Sequence, residues 1–67
     1  MNAKLFRSFM VLFDETNKTL ADFLNLSEQS VCNKINENGT EFKQGEISKI
    51  KSRWGLSAEQ VDDIFFN

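Results

Sequence analysis

The chain has 67 residues, a net charge of −2 and a pI of about 4.9, so it is one domain near the lower size limit for a fold held by its core alone. One cysteine excludes an internal disulfide, the lack of histidine leaves no zinc-site spacing, and no apolar run reaches the roughly 20 residues that span a membrane. The amino terminus mixes Lys4 and Arg7 into its apolar residues without a small-residue cleavage site, so a secretory leader is not expected and a cytoplasmic location is.

Hydrophobic residues make up 40% of the chain and include seven Phe and one Trp, enough for a packed core. Apolar positions recur at helical spacing throughout, with no proline, repeat or low-complexity segment, which predicts an all-α fold. The first helix is expected over Ala3–Phe13, with Leu5, Phe9 and Leu12 as one stripe, Phe6 and Phe13 beside it, and Lys4, Arg7 and Ser8 facing out. Asp14-Glu15 breaks this pattern. Thr16 is a good N-cap for a second helix over Asn17–Leu24, whose Leu20, Phe23 and Leu24 point inward. Asn25 suits the left-handed residue that ends a helix, and Leu26 returns to the core.

Ser27 caps a third helix over Glu28–Asn36, and Glu28 suits its positive end. Val31 and Ile35 are its inner face. Asn38-Gly39 marks a turn, and Phe42 is expected as an anchor in the following loop. A fourth helix over Gln44–Trp54 turns Ile47, Ile50 and Trp54 inward; Gly55 ends it and Leu56 drops into the core. Ser57 to Gln60 form a capping box for a fifth helix ending at Phe65 or Phe66, with Val61, Ile64 and Phe65 as its apolar face. Phe65 and Phe66 cannot both be interior, so one of them is a candidate dimer contact.

The second and third helices have the spacing of a helix-turn-helix. With about 100° per residue, Gln29, Asn33 and Asn36 point away from Val31 and Ile35, while Glu28 and Ser30 flank them at the first turn. Gln and Asn pair with adenine, and Glu accepts from a cytosine amine. Phosphate contacts are expected from around this helix: Asn17 and Lys18 at the start of the second helix, Lys34 beside the reading face, and Lys43 where the fourth helix lacks a good cap. Spacing alone also allows an ordinary solvated face and ordinary solvated lysines. Cys32 reads as an inert filler. The acidic balance argues for modest non-specific affinity, although residues 1–58 carry a net charge of +1 and the acids Glu59, Asp62 and Asp63 cluster near the end.

The segment Thr16 to Val31 resembles the helix-turn-helix of Cro- and repressor-type (XRE) regulators of phages and bacteria: a threonine cap, Leu20-Ala21, a short turn, then Ser27-Glu28-Gln29-Ser30-Val31. The remainder, from Lys34-Ile35-Asn36 through Phe42, Ile47, Ile50 and Trp54-Gly55-Leu56-Ser57 to Val61 and Ile64-Phe65-Phe66, is similar to a phage-type subgroup. The resemblance implies a lambda-repressor-like five-helix bundle that represses transcription as a homodimer on a palindromic operator in double-stranded DNA. By position it implies base or phosphate contacts for Ser27, Glu28, Gln29, Ser30 and Asn33, and phosphate contacts for Asn17, Lys18 and Lys43. Asn25 stands where glycine is usual, and Glu28 where neutral or basic residues are common. No catalytic residue, metal, cofactor, membrane or small-molecule substrate is expected. The alternative is a protein-interaction module on the same fold, such as an antirepressor or an antitoxin.

Overall fold

The computed structural model describes residues 1–66 and contains, among them, five α-helices and no strand. They are α1 (Ala3–Leu12), α2 (Asn17–Leu24), α3 (Glu28–Asn36), α4 (Gln44–Trp54) and α5 (Ala58–Phe65). Among the described residues, no helix is long and apolar enough to cross a membrane.

Local chemistry explains where each helix begins. The Asn2 side chain accepts from the Leu5 N–H at 3.1 Å. Thr16 and Thr19 cap each other reciprocally, at 3.2 and 2.9 Å. Ser27 accepts from the Ser30 N–H at 3.1 Å, and Ser57 and Gln60 form the expected capping box. Lys43 has no oxygen to offer as a cap; instead the Glu46 carboxylate reaches back to accept from the Lys43 N–H at 2.9 Å. α2, α3 and α4 each end on a left-handed residue, Asn25, Glu37 and Gly55. Only Gly55 adopts that conformation without a side-chain penalty.

Each helix sends one side chain to the centre, where Phe6, Leu20, Val31, Ile50 and Ile64 are fully buried. Phe6 is the hub, with its ring centroid 5.2 to 5.8 Å from those of Trp54, Phe42 and Phe65. Such tilted aromatic contacts add to plain area burial. Phe42 is buried as the loop anchor, and Leu56 is buried after α4. Leu26 is only half-buried and packs against the core.

The face of α1 differs from the expectation. Its inner line is Phe6 and Met10, not Leu5, Phe9 and Leu12. Leu5 and Phe9 are half-buried, while Leu12 is 69% and Phe13 41% exposed. Two adjacent lines of this helix are apolar, so periodicity could not choose between them. The choice fell to the line that meets the rings of Phe42 and Phe65; Phe9 and Phe13 stack on Trp54 from the side, at 6.1 and 5.7 Å. The helix stops at Leu12, and the chain reverses through Asp14 at φ 55° with the Glu15 N–H donating to the Met10 carbonyl at 2.7 Å. This leaves Val11 and Leu12 outside the bundle.

Candidate nucleic-acid interface

α2 and α3 are joined by the three residues Asn25, Leu26 and Ser27. Asn25 takes the left-handed conformation at φ 59°, and the Leu26 N–H donates back to the Ala21 carbonyl at 2.8 Å. These two features turn the chain sharply and bring Leu26 inward, so that α3 packs more extensively against α2 than against any other helix. The buried side chains of α3 are Val31, Lys34 and Ile35. Its opposite side is left to solvent.

Glu28 and Gln29 are exposed on that outer side, with Ser30 and Asn33 half-buried beside them. The Gln29 amide donates to the Asn33 side-chain oxygen at 3.1 Å. Ser27 Oγ donates to Ser30 Oγ at 2.9 Å while accepting from the Ser30 N–H. Ser27 has thus committed its only hydroxyl proton, and the Ser30 hydroxyl proton is the one left to turn outward. Asn36 is exposed, but its oxygen accepts from Arg7 and its amide donates to Cys32 Sγ at 3.5 Å. It belongs to the α1–α3 contact more than to a reading face.

Asn17 is half-buried and Lys18 exposed in the first turn of α2, where Lys18 lies 4.0 Å from Asp22. Both partners of that pair are more than 70% exposed, so water weakens it and the ammonium stays available. Lys43 is exposed at the start of α4.

Lys34 is the correction. It is 6% exposed, pairs with Glu46 at 3.2 Å and donates to the Glu41 carbonyl at 3.2 Å. Its ammonium tethers α3 to the loop and to α4 and is not presented to a phosphate. The signal was present in the sequence: Val31, Lys34 and Ile35 have the i, i+3, i+4 spacing of an inner face. A buried cation then requires a carboxylate, which Glu46 supplies.

A second polar cluster went unread. The Glu15 side chain accepts from both Nε and Nη2 of Arg53, from Trp54 Nε1 at 2.9 Å and from Thr19 Oγ1 at 2.7 Å. The hydrogen bonds from Arg53 lower its pKa from 4.5 to about 2; burial opposes the shift, and Trp54 and Thr19 reinforce it. Arg53 is shifted upward by the same bond and lies 4.4 Å over the Phe23 ring. This cluster fastens α4 to the α1–α2 turn. It is structural cement beside the candidate interface.

Of the two terminal aromatics, Phe65 is buried and Phe66 is 64% exposed. Phe66 borders a groove of about 180 Å³ that also takes in Met1, Phe42 and Ile47. Among the described residues, no cluster of His, Cys, Asp and Glu is placed to hold a metal ion.

Compared with known protein families, curated proteins and solved structures, the chain matches none of them.

Proposed function

We propose that this chain is a sequence-specific DNA-binding regulator, a Cro-like repressor that reads a palindromic operator as a homodimer with α3 in the major groove. One observation carries the reading: the inner side of α3 is committed to the core while its capped start carries a polar outer face, Glu28 and Gln29 exposed with Ser30 and Asn33 half-buried beside them. A helix that enters the major groove needs that division. Lys18 and Lys43, both exposed at helix starts, are the proposed phosphate contacts, with Asn17 and the N–H groups of the first turn of α2 beside Lys18. On this reading the protein works in the cytoplasm and has no enzymatic step.

The test is selection of bound sequences from random duplex DNA, followed by affinity measurements on the enriched site. Gln29→Ala should cost about 1–3 kcal/mol on that site and relax base choice at one position of each half-site. Lys43→Ala should weaken all sequences alike. If the wild-type chain enriches no sequence, the reading fails.

The exposure of Val11, Leu12 and Phe66 favours a second reading, a protein-interaction module such as an antirepressor or antitoxin. It prevails if Phe66→Ser abolishes a protein complex while DNA binding ignores both Gln29 and Lys43.

A further inference from the structure

Gln29 and Asn33 stand one turn apart on α3, and the Gln29 Nε2 group donates to Asn33 Oδ1 at 3.1 Å. A primary amide has one acceptor oxygen and two N–H donors. With one N–H held by Asn33, Gln29 keeps its oxygen and a single N–H for anything outside the protein. In the major groove adenine offers one donor, the N6 amine, and one acceptor, N7; guanine offers two acceptors, N7 and O6. A free glutamine satisfies either base, with its oxygen and one N–H on adenine or with both N–H groups on guanine. A glutamine tied to Asn33 keeps a two-bond contact only with adenine and can give guanine a single bond.

The other small polar groups nearby leave this bond undisturbed. Ser27 and Ser30 are bonded to each other, and Asn36 is engaged by Arg7 and Cys32. Asn33 is half-buried against the helix body, whereas Gln29 is exposed. The two therefore divide the labour, Gln29 reaching outward and Asn33 holding it.

We propose that Asn33 is a positioning residue that fixes the Gln29 amide so that α3 selects adenine and rejects guanine at one operator position. The proposal rests on the DNA-reading function above and names the base that function would recognise there. Asn33 touches no base in this account. It acts by occupying one proton of its neighbour.

The experiment is selection from random duplexes with the wild-type chain and with Gln29→Ala, Asn33→Ala and Asn33→Asp, each checked for helical circular dichroism. The wild type should prefer adenine to guanine about tenfold or more at the Gln29 position. Gln29→Ala should erase the preference there. Asn33→Ala should bring the adenine-to-guanine ratio below about threefold by admitting guanine, with the other half-site positions unchanged. Asn33→Asp keeps an acceptor oxygen, so it should restore the adenine preference, though its charge weakens binding to every sequence. If Asn33→Ala leaves the ratio unaltered, or weakens all positions alike as a purely structural residue would, the proposal is overturned while DNA reading stands. The same holds if Asn33→Asp fails to restore the preference. If the wild type enriches no sequence, it is the DNA-reading function that falls.

Discussion

Glu15 makes the stability of the fold depend on pH. Its pKa of about 2 in the folded chain lies below its ordinary 4.5. A depressed carboxylate stabilises the fold fully above its ordinary value and loses that contribution as pH falls towards the folded value. The window is therefore roughly pH 5 down to pH 2, and the contribution at neutral pH is about 3 kcal/mol. Glu15→Gln should lose most of this at pH 7 in urea melts and should flatten the decline in stability between pH 5 and 2. A variant whose acid limb matches the wild type would refute the assignment. None of this was legible beforehand. Glu15 followed an aspartate in a segment that read only as a break, and its main partners lie 38 and 39 residues further along the chain. Single-residue caps were another matter: Thr16, Ser27 and Ser57 work through atoms three residues away, so the sequence contains the whole interaction.

The same contrast separates whole elements. The limits of α2, α3 and α4 were readable because capping and left-handed termination are local events. The orientation of α1 was not, since two neighbouring apolar lines competed and only the packed rings decided between them. For α3 the spacing placed Val31 and Ile35 inward, where the structure has them, and missed that Lys34 shares their line, because its charge points outward by type while its position points inward. The Lys34–Glu46 pair holds α3, the loop and α4 together, and its carboxylate also caps α4. Lys34→Met should cost about 2–4 kcal/mol because it strands a mostly buried charge. Adding Glu46→Gln should recover much of the loss, because glutamine is neutral and still accepts from the Lys43 N–H. Thermal melts of the single and double variants would decide the matter; a double variant no better than the single would show that the tether works by shape and not by charge.

For the whole molecule the question is which cations are placed to meet a polyanion. Eight Lys and Arg are present, but Arg53 is bound to Glu15 and Lys34 to Glu46. The proposed contacts leave Lys18 and Lys43 in each protomer, four in a dimer. Each phosphate neutralised on duplex DNA contributes about −0.9 to the slope of log K against log salt, so a slope near −4 is expected. A titration giving −7 or steeper would mean that other cations join the interface. Charge of this kind could be counted from the sequence, but its availability could not, because pairing depends on which helices meet. The sequestering of Lys34 and Arg53 also bears on how such a protein would find its target. Residence on arbitrary DNA is almost wholly ionic, and it is this residence that permits sliding along the duplex. On the proposed reading, a domain that meets the duplex with only Lys18 and Lys43 from each protomer would leave wrong sequences quickly and reach the right one by repeated encounters from solution, with hydrogen bonds on α3 deciding which encounter lasts.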